Sequence, residues 1–150
     1  MTVSLVVHEA SAVEAQRLRS LVARVGLPLA GLDDAWKTWV VTSSGDVVGG
    51  VALERYDSPT GPVFLLRSLA VDEARRGMGV GSLLVSEALR AADLDAGAPA
   101  SVALLTQTAD GYFPPLGFRA IARADIPAAL NASAELTGAC ADTARAFLRG

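Results

Sequence analysis

The sequence predicts a mixed α/β (α+β) fold around a mostly antiparallel central sheet, and three observations carry that expectation. Apolar, β-branched stretches at 39–42, 47–56 and 63–71 follow one another with only turn residues between them, the arrangement of a meander. A strand, helix, strand succession over 63–106 adds a crossover and with it one parallel pair. At 150 residues the chain has the length of one domain, 1–150, and can bury roughly 70% of the surface its unfolded form exposes.

The elements follow in order. Residues 2–8 alternate weakly and are β-branched, predicting a first strand. Residues 10–25 carry Leu18, Leu21, Val22 and Val25 at helical spacing, and Gly26 and Pro28 end that helix. Ser43-Ser44-Gly45-Asp46 turns one strand, 39–42, into the next, 47–56, as a hairpin. Ser58-Pro59-Thr60-Gly61-Pro62 is a second turn, and 63–71 is a strand apolar on both faces apart from Arg67 and Ser68, the pattern of a central strand covered on both sides. Residues 79–95 place Val80, Leu83, Leu84, Ala88, Leu89 and Ala91 on one helical stripe, ended by Gly97 and Pro99. A strand over 101–106, a short helix over 109–116 ended by Gly117, and a strand over 118–121 come next. A helix over 127–136 and a strand over 143–148 complete the reading.

Charge and composition exclude several functions. Thirteen Lys plus Arg face sixteen Asp plus Glu, a net charge of −3, so nucleic acid and anionic membrane are not expected partners. The opening residues mix Val3, Leu5, Val6 and Val7 with His8, Glu9, Glu14 and Arg17, unlike a signal peptide, and a cytoplasmic protein is expected. Cys140 is the only cysteine and His8 the only histidine, which excludes an internal disulfide and a cysteine-rich metal site and leaves packing or surface roles for both residues.

The run Val71-Asp72-Glu73-Ala74-Arg75-Arg76-Gly77-Met78-Gly79-Val80-Gly81-Ser82 joins a buried strand to a helix through three glycines and two arginines. Glycine lets the backbone approach a ligand, and a helix start offers unpaired N–H groups at a positive dipole end, so the run forms an anion cradle suited to phosphate. A P-loop needs lysine after the last glycine, where Ser82 stands, and a dinucleotide fingerprint needs glycine at Ser82 and a place in the first βαβ unit; both readings fail. An ordinary helix start with a solvated arginine pair remains as the plain alternative.

The loop resembles the Arg/Gln-x-x-Gly-x-Gly/Ala motif of the GNAT N-acetyltransferases, matched by Arg76, Gly79 and Gly81. Leu69-Ala70-Val71 before it and Leu116-Gly117-Phe118 after it extend the resemblance over most of the chain. The resemblance implies helices on both faces of the sheet and acetyl-CoA as co-substrate. It implies that the backbone at Leu69, Ala70 and Val71 holds the pantetheine arm and that Arg76, Gly77, Met78, Gly79, Val80, Gly81 and Ser82 hold the pyrophosphate, with Arg75 beside an outer phosphate. It also implies a backbone N–H near Leu69 as the donor to the developing oxyanion. The tyrosine that many members place five residues before the last phenylalanine is replaced here by Phe113, with Tyr112 one position earlier and about 100° round a helix. The thiolate would then take its proton from water or from the product ammonium. Many members pair as homodimers, and exposed C-terminal strands would allow a homodimer here.

For the acceptor, two residues stand out. Glu54 is the carboxylate well inside the meander, a candidate base for the amine or a strand-end surface charge; a base acting through water is equally compatible. Arg67 on a central strand requires an anion, either a substrate carboxylate or an internal partner, Glu54 or Asp57. Residues 66–71, with 105–109 ahead of an aromatic pair, resemble the acetyltransferases of arsenic-resistance operons and the acetyltransferase domain of N-acetylglutamate synthases. The tail Ala134-Glu135-Leu136 to Ala139-Cys140-Ala141 resembles the first of these. That likeness implies a small-molecule amine acceptor, an amino acid or an amino-acid-like toxin such as a glutamate-like organoarsenical, held by Arg67, Ser68 and Thr106, with no metal. A protein or peptide N-acetyltransferase and a non-catalytic acyl-CoA sensor are the alternatives.

Overall fold

Two consecutive glycines on one strand allow a helix to lie close on each face of the sheet. In the computed structural model, which describes residues 5–107, 111–139 and 144–150, Gly49 and Gly50 sit in β3 (Asp46–Ser58). A Cβ on Gly49 would lie 2.8 Å from Val80 Cγ1, and one on Gly50 would lie 2.4 Å from Leu18 Cδ1. Neighbouring strand residues point to opposite faces, so α1 (Ala12–Arg24) covers one face and α2 (Val80–Ala96) the other. Helices on both faces are therefore observed.

The other strands are β1 (Val6–Glu9), β2 (Lys37–Ser43), β4 (Gly61–Val71), β5 (Ser101–Thr106), β6 (Arg119–Ile121) and β7 (Arg145–Arg149). They form one seven-stranded sheet in the order β1-β2-β3-β4-β5-β7-β6. Among the described residues only β4 and β5 pair in parallel, and the other neighbours are antiparallel. The predicted meander, the parallel pair and the mostly antiparallel sheet are all present. Strand β5 has the predicted bounds, whereas β2, β3 and β4 run one to two residues past theirs at one or both ends, because ladder hydrogen bonds continue into the turn residues.

α1 begins with a reciprocal capping box between Ser11 and Glu14, which satisfies two N–H groups of the first turn. Its buried stripe, Leu18, Leu21 and Val22, packs on Val40, Ala52 and Ala70. The stripe of α2, Val80, Leu84, Val85, Ala88 and Ala92, packs on Val41, Val51, Leu53, Phe64 and Leu66. Small residues in that stripe let the helix lie close to the sheet.

Two expectations are corrected. Residues 127–136 form no single helix: a 3-10 turn, Ala128–Ala132, is followed by a distorted turn, Glu135–Ala139. Ser133 between them is extended (φ −67°, ψ 140°), and its buried hydroxyl accepts from the Glu135 N–H at 3.2 Å, a local bond that competes with helix continuation. The expected helix over 109–116 reduces to the 3-10 turn Pro114–Leu116, since two adjacent prolines remove donors; Thr108, Ala109 and Asp110 lie outside the described residues. The expected strand starts at Thr2 and Thr143, and Cys140, also lie outside them.

Candidate active site

The site is made where two strands stop pairing. β4 and β5 are joined only at Val63–Ser101, Phe64–Val102 and Leu65–Ala103, although β4 runs on to Val71 and β5 to Thr106. Beyond these pairs lies a cleft of about 630 Å³ walled by residues 66–71 on one side and 104–106 on the other. Residues 25, 27 and 28, after α1, and Glu135 from the C-terminal segment line it too.

Between Gly50 and Ala52 of β3 there is one residue, Val51, while between their partners Ala70 and Arg67 of β4 there are two, Ser68 and Leu69. The extra residue is a β-bulge, and Ser68 adopts φ +59°, a conformation non-glycine residues enter at a cost of about 1–2 kcal/mol. The bulge resets the alternation of β4. Arg67 and Ala70 both face the α1 side, while Leu69 and Val71 pack toward the α2 side. Bulged residues leave the ladder locally, which is how backbone polar groups become aimed into a cleft inside a sheet.

At the open end, Gly79 caps α2 in the left-handed region (φ +79°) with no side-chain cap, and Gly77 has φ +81°; a Cβ on either would meet open space. The first-turn N–H groups of a seventeen-residue helix therefore face the cleft without a side-chain acceptor. Arg75 lines the same end, and its Nε is buried with no hydrogen-bond partner. A buried donor left unpaired costs about 1–3 kcal/mol, which an anionic ligand at this end would relieve. An uncapped helix start, glycines in left-handed conformations and an orphaned guanidinium nitrogen together suit a diphosphate.

A family model described as an acetyltransferase (GNAT) domain matches residues 34–120, the stretch from β2 through the cleft to β6. The chain belongs to the GNAT acetyltransferases. This GNAT protein carries that acetyltransferase domain from β2 to β6. Its fold is shared with an acetyltransferase of the GNAT family from Staphylococcus aureus Mu50 (TM-score 0.77, 16% identity, 97% of this chain and 98% of that one). It is also shared with Rv2747 from Mycobacterium tuberculosis, solved in complex with CoA and NLQ (TM-score 0.72, 22% identity, 96% and 98%). A third likeness is to N-acetylglutamate synthase from Neisseria gonorrhoeae, complexed with coenzyme A and N-acetyl-glutamate (TM-score 0.76, 15% identity). There the match covers 99% of this chain but 35% of the other, about a third of that longer protein. No curated protein gives a significant sequence match.

The structure brings most of the expected residues of the GNAT protein to the cleft: Arg67, Ser68, Leu69, Ala70, Val71, Arg76, Gly77, Gly79, Val80, Gly81, Ser82 and Thr106 all line it. Met78 does not; its side chain is about half exposed beside the loop. Glu54 does not line it either, and is no strand-end surface charge: it is buried within β3. Its Oε2 accepts from Arg67 Nη1 at 2.8 Å and its Oε1 from the Tyr56 hydroxyl at 2.5 Å. Both carboxylate oxygens are thus engaged, which removes Glu54 as a base reaching into the cleft.

Arg67 takes the internal partner of the two readings open to it. Its side chain has no solvent exposure, and besides Glu54 it donates from Nη1 to Ala30 O at 2.8 Å, from Nη2 to Pro28 O at 3.1 Å and from Nε to Ser68 Oγ at 3.2 Å. Glu135 Oε2 stands 3.5 Å from that Nε. The guanidinium is a tie between the loop after α1, two strands and the C-terminal segment, and its donors are turned to protein acceptors. The residue that sequence reasoning missed is Glu135, buried and lining the cleft. A buried arginine that already has one carboxylate gives no sequence signal for a second from 68 positions away.

Tyr112 and Phe113 divide along the line the sequence suggested. Phe113 is buried among Tyr112, Phe118 and Phe147, while the Tyr112 hydroxyl lies where a Cβ on Gly81 would be 2.2 Å from it. Tyr112 therefore reaches the start of α2 from the cleft.

Proposed function

We propose that this GNAT domain transfers the acetyl group of acetyl-CoA to the amine of a small molecule by direct attack, in the cleft between β4 and β5. The observation that carries the reading is the divergence of these strands after Leu65 and Ala103, closed at one end by the uncapped start of α2 and the orphaned Arg75 Nε. The unpaired edge at Leu69, Ala70 and Val71 holds the pantetheine arm as a further strand would. The amides of Arg76, Gly77, Gly79, Val80, Gly81 and Ser82 hold the pyrophosphate, with Arg75 donating its free Nε–H to a phosphate oxygen. The backbone N–H of Leu69, beside the bulge, donates to the carbonyl oxygen as it gains charge, a role that needs no side chain. No tyrosine is needed at Phe113, which is packed in the core; the departing thiolate takes its proton from water or from the product ammonium.

The narrower acceptor class, an amino acid or a glutamate-like organoarsenical, is supported by the sequence motifs alone, because the guanidinium that would anchor its carboxylate is turned to Glu54, Pro28 and Ala30. Ser68 and Thr106 remain the polar side chains of the proposed acceptor end that line the cleft beside it.

The test is release of CoA thiol from acetyl-CoA with a panel of amines, amino acids, organoarsenical analogues and N-terminal peptides. Turnover with small amines supports the reading; turnover with peptides alone, or acetyl-CoA binding with none, overturns it. Gly79→Val should abolish acetyl-CoA binding measured by calorimetry, since a β-branched residue at φ +79° is strained and its side chain would enter the pyrophosphate cradle. Undiminished affinity would remove the cradle assignment.

A further inference from the structure

Taking the acetyltransferase reading as its basis, we infer that the Ser68 hydroxyl is a second donor to the acetyl carbonyl oxygen, acting beside the backbone N–H of Leu69 and aimed by Arg67 as its positioning residue. Ser68 is an expensive residue where it stands. Its φ of +59° lies in the left-handed region, which glycine enters freely and serine does not. It sits in the bulge of β4, between Arg67, which pairs with Ala52, and Ala70, which pairs with Gly50. The residue is only 5% exposed, yet it lines the cleft. Glycine here would remove both the strain and a buried polar atom, so the feature that the strained position retains is the hydroxyl. Strain held at the wall of a cleft points to a role for the side chain that carries it.

The orientation of the hydroxyl is set by its neighbour. Its oxygen accepts from Arg67 Nε at 3.2 Å. That guanidinium is held from turning away, since its Nη1 donates to Glu54 and Ala30 and its Nη2 to Pro28. A hydroxyl has two acceptor lone pairs and one hydrogen. Among the described residues the bond from Arg67 is the one the Ser68 hydroxyl makes, so its hydrogen is left for a ligand in the cleft. Accepting from a cation polarises the O–H and strengthens it as a donor. Only Cβ, Cα and the carbonyl carbon stand between the Ser68 oxygen and the Leu69 nitrogen, so the two donors can meet on one ligand atom. The acetyl carbonyl oxygen is the atom there that gains charge during transfer, and donors fixed in advance stabilise it most. The neutral amine forms the N–C bond while the carbonyl π pair moves onto oxygen, held by Ser68 O–H and Leu69 N–H. The pair then restores the C=O bond, and the C–S bond breaks with its electrons on sulfur. The thiolate takes a proton from the product ammonium or from water, and Ser68 keeps its own proton throughout.

The experiment compares wild type, Ser68→Ala and Ser68→Gly for acetyl-CoA affinity by calorimetry, for denaturant midpoint, and for the single-turnover rate of transfer to the amine that wild type acetylates fastest. Both variants lack the hydroxyl, and only Ser68→Gly also lacks the strain. The expected result is wild-type acetyl-CoA affinity and acceptor KM in both, and a transfer rate lower by about 10²- to 10³-fold in both. Ser68→Gly should unfold at a higher denaturant concentration than Ser68→Ala. With the dithioester analogue of acetyl-CoA, whose C=S sulfur is a weak hydrogen-bond acceptor, the loss of rate should shrink, which a merely structural role would not produce. A wild-type rate in either variant, a defect confined to acceptor KM, or an equal loss with both acetyl donors overturns the inference and leaves the acetyltransferase reading intact. Acetyl-CoA binding without transfer to any amine in wild type overturns that reading and the inference with it. Should Ser68→Ala fail to fold, Ser68→Gly, which suits the left-handed backbone, carries the comparison alone.

Discussion

An arginine with no exposure in the middle of a sheet is stable only while its acceptors stay in place. Removing Arg67 takes the buried counter-charge from Glu54, removes one contact of Glu135 and releases the carbonyls of Pro28 and Ala30. Breaking a buried ion pair in this way costs about 3–5 kcal/mol. Arg67→Ala should therefore lower the unfolding midpoint in denaturant sharply; a variant as stable as wild type but raised in acceptor KM would restore the carboxylate-anchor role. Tyr56 reports on the same cluster. Burial and donation to Glu54 push its phenol from 10.0 up to about 12. Because the folded value is raised, the neutral phenol stabilises the fold fully below pH 10 and that contribution is lost as the pH rises toward 12. In a Tyr112→Phe background, which leaves one tyrosine of two, phenolate absorbance should appear late, and Glu54→Gln should bring it earlier. That Arg67 needed an anion was legible from its place in an apolar strand, as was Glu54 as one partner. Glu135 was not, because pairing across 68 residues is decided by tertiary packing that no local spacing encodes.

Elements were legible where a pattern repeats and turn chemistry bounds it. The hairpin at Ser44-Gly45 and the α2 stripe ending at Gly97 are of this kind: each boundary rests on a glycine with positive φ, and on Ser44 at φ +51°. The C-terminal segment was misread because apolar residues at 126, 130 and 136 suit a helix, while Ser133 offers its hydroxyl to the backbone and turns the chain. The bulge at Ser68-Leu69 left no trace in the letters, since neither residue is a usual left-handed one. What the letters did show without its meaning being read is Gly49-Gly50. A methyl at Gly50 would meet three Leu18 side-chain atoms at 2.4–3.0 Å, and one at Gly49 would meet Val80. Overpacking of this kind costs about 1–3 kcal/mol. Gly50→Ala should lower stability through α1 and leave acetyl-CoA affinity unchanged. Gly49→Ala should weaken acetyl-CoA binding as well, because Val80 opens α2; calorimetry on both variants checks the difference.

Across the whole molecule the two halves of the sheet are joined by few bonds. Strands β1 to β4 meet β5 to β7 through three residue pairs at one end of the cleft. Beside that end Arg149 of β7 grips Asp93 of α2 with two bonds, 2.6 and 2.8 Å, and Asp93 also accepts from the Ala100 N–H at 2.8 Å. The Arg149 guanidinium holds the Asp93 carboxyl below its usual 3.8. A lowered folded value means stability present above about pH 3.8 and lost as the pH falls through the folded value. Asp93→Asn should therefore be less stable than wild type at neutral pH, with the gap in unfolding free energy closing below pH 3.8; a gap that persists in acid would deny the ion pair its role. The position of this clamp has a mechanical side. With both stitching and clamp at one end, no ladder bond joins the strands beyond Leu65 and Ala103, like the boards of a book beyond its spine, and only side chains such as Arg67 and Tyr112 reach across. From Leu65 to Val71, at about 3.3 Å per residue, the lever is roughly 20 Å long. A few degrees of hinge motion therefore change the gap by well under an ångström near the spine and by more than that at the outer margin, so size tolerance for what enters must grow with distance from Leu65.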